Sequence, residues 1–350
     1  MKLPALYIHI PFCAQKCAYC DFASWAGREA AWGAYFDMLE NELAHWISRV
    51  GNEFSTVFIG GGTPSIVPAE YICRIVRMVK AAEISMEANP GTLSPEKLRA
   101  YRKAGVNRLS MGVQSFDDAL LRKIGRIHSA DEAEAAFNMA RDAGFDNINL
   151  DLMYALPGQT VDAWRATIER AVKLSPDHIS AYSLIIEEGT PIADWASETD
   201  EDTVNEMQRL CTGFLAQHGY GRYEISNYAK PGYECRHNIC YWTRGDYIGI
   251  GCAAHSLFDG RRFCNTSDLE KYLSGVRIVE DTALTETDII EETVMLGLRM
   301  TRGIDIKDVP DMRAAEKMVK GGLAQIAGGR FMLTEAGMEL QNAVVLELLG

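Results

Sequence analysis

The sequence predicts an α/β fold, a parallel sheet closed or partly closed into a barrel, followed by a smaller α+β tail. Three observations predict it. From residue 5 to about residue 185, short apolar runs rich in Val and Ile alternate with longer stretches of helical period, the rhythm of repeated βα units. Polar residues recur at the C-terminal ends of those runs, the rim where barrels of this kind place their chemistry. Beyond residue 195 the rhythm weakens, and a separate helical pattern begins at Glu291.

In chain order the candidate strands are ALYIHI, STVFIG, EISMEA, NRLSMGV, NINLDLM and HISAYSL. Between them, WGAYFDMLENELAHWI and DEAEAAFNMARDAG carry apolar residues at helical spacing, and the second ends in a Gly suited to a helix C-cap. SETDEDTVNEM reads as a solvated helix whose acids favour its N-terminal dipole. Residues 226–290, rich in Tyr, Gly and Cys, read as irregular. The last stretch reads as helix, a small β turn around GG, and helix, like a winged helix. The expected division is therefore 1–225 for the barrel, 226–290 for the irregular segment and 291–350 for the tail.

The rim residues are Gly60 to Thr63 after the second run, Glu87 in the third, Gln114 after the fourth and Asp151 in the fifth. Each alone could be a cap or turn; their recurrence on one rim argues for a shared site.

Composition excludes several classes. A net charge of −13 argues against a nucleic-acid partner, and in the tail the charges of Arg313, Lys317, Lys320 and Arg330 are met by Asp311, Glu316, Glu335, Glu339 and Glu347. No run is long and apolar enough to span a bilayer, and the first cysteine comes too early for a cleavable signal peptide. A soluble cytoplasmic protein without an integral membrane segment is expected. Nine cysteines, an odd number with three clustered, suit a reducing compartment and a metal site better than a disulfide framework.

That cluster is CAQKCAYC, with Cys13, Cys17 and Cys20 spaced C-x3-C-x2-C. A structural zinc ion wants four ligands, which His9, Asp21 or a distant cysteine would have to complete. An iron–sulfur cube held by three cysteines leaves one iron open to a small ligand. The spacing favours the cube, since zinc sites usually combine two C-x2-C pairs.

These residues carry a family resemblance. YIHIPFCAQKCAYCDF, FIGGGTPS, EANPGT, GVQSF, GRIH and NLDLMYALPGQ are similar, in that order, to the branch of the radical S-adenosylmethionine (SAM) superfamily that contains oxygen-independent coproporphyrinogen oxidase and the HemW-type haem chaperones. The resemblance covers nearly the whole chain. It implies a radical SAM partial (β/α)6 barrel whose 4Fe–4S cluster, on Cys13, Cys17 and Cys20, chelates S-adenosylmethionine and reduces its sulfonium to release a deoxyadenosyl radical. It implies that Tyr7 and Tyr19 lie beside the cluster and the adenine, and that Gly61, Gly62 and Thr63 meet the methionine amino group. Glu87, Gln114, Arg126 and Asp151 match the remaining cofactor contacts. Glycine permits close approach, a carboxylate suits an ammonium or ribose hydroxyls, and Arg126 suits a carboxylate.

Within the branch, two features depart from the oxidase. The oxidase has a further cysteine two residues beyond the third, where this chain reads Cys20, Asp21, Phe22, and it has an N-terminal extension where only twelve residues precede Cys13. RHNICYW, Arg236 to Trp242, instead resembles the HNxxYW motif of the haem chaperones. The resemblance implies haem as cargo, delivered to haem-dependent respiratory enzymes, with His237, Asn238, Tyr241 and Trp242 as candidate haem residues. Imidazole ligates haem iron and aromatic faces suit a porphyrin, although such a group also describes a hydrogen-bonded packing corner. Haem-accepting proteins and an electron donor are the implied partners; a homodimer is left open. A radical enzyme acting on a porphyrin is the alternative, because a pure carrier has no evident need of the cofactor rim. Cys235, Cys240, Cys252 and Cys264 leave gaps of four, eleven and eleven residues, which match no chelating pair, and with Cys73 and Cys211 they read as small buried hydrophobes.

Overall fold

The structure is a computed structural model that describes residues 2–197 and 199–350. Six strands run parallel in chain order: β1 (Ala5–Ile10), β2 (Val57–Gly61), β3 (Ile84–Ala88), β4 (Arg108–Gln114), β5 (Ile148–Tyr154) and β6 (His178–Ser183). Helices α1 (Trp32–Val50), α2 (Ala69–Val76), α3 (Pro95–Ala104), α4 (Asp118–Lys123), α5 (Ala130–Asp142) and α6 (Val161–Lys173) lie in the crossovers.

The strand pleat sorts residues by parity. Leu6, Ile8 and Ile10, Val57 and Ile59, Leu109, Met111 and Val113, and Ile148, Leu150 and Leu152 are all buried in one core. That core includes Tyr35, Phe36, Leu39, Leu43 and Trp46 of α1. Each such side chain contributes about 1.5–3 kcal/mol. The alternate positions point inward and are polar: Glu87, Ser110, Asn149 and His178 stand in one register row, and Gly112, Asp151 and Ser180 in the next. A lumen lined this way is the ground for a polar site. Capping fixes the helix starts, as in α5, where Ser129 and Glu132 form a reciprocal capping box.

The sheet remains open and is prolonged at both edges. After α7 (Glu201–Gln217, capped by Asp200), the hairpin β7 (Gly221–Glu224) and β8 (Asn227–Ala229) adds antiparallel to β6. On the other side β9 (Tyr247–Ile250) pairs parallel with β1, followed by the antiparallel strands β10 (His255–Phe258), β11 (Arg261–Asn265) and β12 (Ile278–Ala283). Residues 226–290 are thus not irregular. They contribute five strands and the helices α8 (Arg236–Trp242) and α9 (Leu269–Leu273) to the same twelve-stranded sheet, and a boundary at residue 225 falls inside the β7–β8 hairpin. Their strands are short, and all six residues of β12 are exposed, so no apolar periodicity announces them.

The tail matches its expected pattern. Helix α10 (Glu286–Gly297) leads to α11 (Met312–Lys320), a hairpin of Ala324–Ala327 and Arg330–Leu333 around Gly328 and Gly329, then α12 (Glu335–Glu339) and α13 (Gln341–Leu349). Ile304–Asp305 adds a third strand. The tail has its own core around Leu298, Phe331, Met338 and Val344. Ion pairs Arg222–Glu335 (2.7 Å) and Arg244–Glu292 (2.8 Å) tie it to the barrel.

Candidate functional site

The C-terminal ends of β1 to β6 surround a cavity of about 370 Å³. Of the sequence candidates it brings together Cys13, Cys17, Cys20, Tyr19, Gly61, Gly62, Thr63, Glu87, Gln114, Arg126 and Asp151. The three thiols are half-buried and free.

Their loop is held from several directions. Ala18 N–H donates to Ile124 O at 3.1 Å, Ile192 N–H donates to Ala18 O at 2.9 Å, and His9 Nε2 bonds Ala23 O at 2.9 Å. Gly125 lets this happen: a Cβ there, at φ +78°, would come within 3.3 Å of Ala18 N. Arg126, the next residue, donates to Gly112 O and places Nη1 3.4 Å from Cys17 Sγ.

Gly61 and Gly62 press against the start of the same loop. A Cβ on Gly61 would sit 2.5 Å from the His9 ring, and one on Gly62 2.7 Å from Phe12 O. Their N–H groups are spent: Gly62 N–H donates to Ile10 O, Thr63 N–H to Phe12 O and Gly61 N–H to Glu87 Oε2 at 3.1 Å. What this segment can offer a ligand is carbonyl oxygen, which suits an ammonium.

Glu87 faces the cavity from deep in the lumen. Burial pushes its carboxyl up to about 8, helped by the charge of Asp151 and opposed by the Gly61 N–H and Arg108. Asp151 accepts from Ser110 Oγ (3.0 Å) and Asn149 Nδ2 (2.8 Å), and burial raises it despite those bonds. Gln114 is turned inward by a break in the β4–β5 register and holds φ +66°, a conformation costly for a non-glycine residue. Arg126 Nε is buried without a partner, an orphan donor that a bound carboxylate would satisfy.

Tyr7 stands beside the cavity residue Glu87; burial together with that carboxylate's charge raises its phenol, while its hydroxyl bonds His9 Nδ1 at 2.9 Å and its ring stacks on Phe58. The HNxxYW residues lie away from this cavity. His237, 1% exposed, bonds Thr56 Oγ1 through Nδ1 and the Tyr241 hydroxyl through Nε2, both at 2.8 Å, and stacks on Phe58. Its N–H donates to Glu83, and Thr56 and Glu83 stand just before β2 and β3, so the motif plugs the opposite end of the barrel. Burial and then Arg108 lower its imidazole to about 3. Neither ring nitrogen is free to ligate iron. Trp242 packs into the joint with the tail, under the Arg299 guanidinium 4.4 Å from its ring and beside Met300, and Asn238 lies on the same short helix.

Sequence reasoning missed Ser110, Met153 and Tyr182 in the cavity wall, and named His9, which stands behind it, only as a possible zinc ligand. The signal was available for three of them: Ser110, Met153 and Tyr182 share the lumen-facing parity of Glu87 and Asp151. The later cysteines each pack separately, Cys235 near Glu83, Cys240 against Asp246 O and Cys252 against Thr266 O.

The residues fit a multi-iron cluster better than a single ion. Among the described residues no three His, Cys, Asp or Glu side chains converge as one metal ion requires; instead three free thiols ring a cavity whose far wall offers carbonyls, carboxylates and an unpartnered Arg126 nitrogen.

An open parallel half-barrel with three thiols on its first loop and a polar cavity beside them defines a radical SAM protein. The model of the radical SAM superfamily matches residues 7–171, and that of the HemN C-terminal domain residues 284–340. Coproporphyrinogen III oxidase (HemN) from Escherichia coli superposes with a TM-score of 0.85 at 25% identity, over 99% of this chain and 90% of that one. The haem chaperone HemW of Bacillus subtilis is 36% identical over 99% of this chain and 100% of its own length. HemW of Haemophilus influenzae is 38% identical over 89% and 86%, and HemW of Escherichia coli 41% over 81% and 80%. The chain belongs to the HemW family of radical SAM proteins.

Proposed function

We propose that this chain is a haem carrier that binds haem and delivers it to haem-dependent respiratory proteins, with a 4Fe–4S cluster and S-adenosylmethionine at the barrel rim. The observation that carries this reading is the match over the entire length, barrel and tail together, to a protein named haem chaperone. Phe22, standing where the oxidase signature has another cysteine, points the same way. The reading includes a haem-accepting protein and an electron donor as partners, cytoplasmic residence, and a homodimer as the assembly to test by light scattering with and without haem.

At the rim, Cys13, Cys17 and Cys20 would hold the cluster. When bound, the cluster would pass one electron, taken from the electron donor, to the sulfonium of S-adenosylmethionine. The protein's part is positioning. Carbonyls of the Gly60–Gly62 turn and the Glu87 carboxyl would receive the ammonium, Arg126 would offer its orphan Nε to the carboxylate, and Asp151, oriented by Ser110 and Asn149, would take hydroxyls of the ribose. Gly125 and Arg126 keep the thiol loop against the barrel mouth.

The test is an anaerobic haem titration of the cluster-reconstituted protein followed by absorbance. Saturation near one haem per chain supports the carrier; no saturable binding rejects it. The intact cavity favours one competing reading, a radical enzyme acting on a porphyrin. Incubation with coproporphyrinogen III, S-adenosylmethionine and a reductant decides it: substrate-dependent deoxyadenosine with loss of carboxylate groups would establish the enzyme, and the carrier reading expects neither.

A further inference from the structure

The chain contains seven histidines. Four are chemically spent, since His9, His128, His178 and His237 each have both ring nitrogens bonded within the protein. His218 has Nδ1 on Phe214 O. His45 and His255 are exposed and have no side-chain partner among the described residues, and of these two His45 lines a cavity.

That cavity, about 260 Å³, lies on the flank of the barrel between the C-terminal half of α1 and strands β10 to β12. One wall is aromatic. Trp46 is nearly parallel to Phe263 (13°, centroids 5.8 Å apart) and edge-on to Phe258 (79°, 5.8 Å), so the three rings form one continuous apolar face beside His45. Its rim carries three guanidinium groups and two carboxylates: Arg49 lies 4.7 Å over the Trp46 ring, Arg49 and Arg277 have no carboxylate partner among the described residues, Arg261 pairs with Asp281 at 2.8 Å, and Asp259 stands beside them. The floor carboxylate, Glu42, has its oxygens taken by Asn265, Gly251 N–H and the Tyr272 hydroxyl. In a chain of net charge −13, free guanidinium groups gathered at an aromatic wall are a specific arrangement.

We propose that this flank cavity is where haem docks, with His45 as the iron ligand, the Trp46–Phe258–Phe263 wall against the porphyrin and Arg49 and Arg277 on its carboxylates. The proposal rests on the haem-carrier reading and supplies the imidazole that His237 cannot. It separates the cargo from the cluster cavity, which leaves the rim free for S-adenosylmethionine.

The experiment uses the reconstituted full chain and three ligands: ferric haem, iron-free protoporphyrin and haem dimethyl ester. His45→Ala should shift the Soret band and weaken ferric haem at least tenfold while leaving protoporphyrin affinity within about twofold, because only iron needs the imidazole. The double variant Arg49→Gln, Arg277→Gln should weaken haem and protoporphyrin at least tenfold and haem dimethyl ester little. All three residues are wholly or partly solvent-facing, and circular dichroism with iron and sulfide content confirms that fold and cluster are retained. Native affinity and spectrum in both variants overturn this site while leaving the carrier reading standing. A wild-type protein that binds no haem overturns the carrier reading itself, and this site with it.

Discussion

The two ends of the barrel carry the two most conspicuous motifs of the sequence, and they differ in one respect, hydrogen-bond saturation. At the base, His237 has two hydroxyl partners, Glu83 accepts the N–H groups of Arg236 and His237, and the His237 ring stacks on Phe58. At the rim, Arg126 keeps an orphan Nε, Gln114 holds a left-handed backbone and Glu87 sits with a raised carboxyl. A group whose lone pairs and protons are already matched is structural; one held in place and left unmatched is waiting for a ligand. Both motifs present similar chemistry on paper, and only the partners tell them apart.

Four experiments can break or sharpen this contrast. The largest effect is expected at the rim: Cys13→Ala, Cys17→Ala or Cys20→Ala should each abolish the chromophore of the reconstituted protein. Iron and sulfide analysis reads the result, and native content in all three variants would remove the cluster from these thiols. At the base, His237→Ala should destabilise the protein by about 3 kcal/mol, from lost packing and two lost hydrogen bonds, and leave haem affinity unchanged within about twofold. Denaturant melts and haem titration decide it together; native stability with haem binding abolished would make His237 a ligand and collapse the contrast.

Returning to the rim, Glu87→Ala and Asp151→Ala should weaken S-adenosylmethionine roughly tenfold or more with the cluster intact, a loss expected when a charged hydrogen-bond partner is removed. Calorimetry showing native affinity in both would take them out of the site. The smallest effect concerns pH. Because the folded protein holds the Glu87 proton up to about 8 whereas an unfolded chain releases it near 4.3, the native state binds more protons between those values, and stability falls as pH rises through that window. Glu87→Gln cannot titrate. The melting temperature of the wild type should therefore drop relative to the variant by roughly 5 °C between pH 5 and pH 9, and parallel curves would mean that the carboxyl is solvated like any other.

How much could be seen beforehand follows from these same contrasts. The six parallel strands were legible because both their neighbours and the covering helices bury them, so runs such as Ile148–Tyr154 carry apolar residues at every outward position. The rim was legible where a polar residue interrupted such a run, as at Glu87 and Asp151. Strands β9 to β12 were not: YIGI and RRFCN are brief, and β12 buries nothing, so turn-like composition outweighed pattern. The surroundings of Tyr7 and His237 were not legible for another reason. A motif states which atoms a side chain has; whether they are already claimed depends on the fold, which brings Thr56 to His237 from far away in the chain and sets the near neighbours His9 and Tyr241 at bonding distance.

The anchoring of the cysteine loop also orders events in time. Some contacts that seat the thiols are local, such as His9 to Ala23, but others come from Ile124 and Ile192, far along the chain. Until the chain as far as Ile192 has folded, the loop that carries the three sulfurs lacks part of its seat. The loop therefore reaches its final shape only with the barrel, and a chain cut short of Ile192 should hold its thiols less firmly than the whole one does.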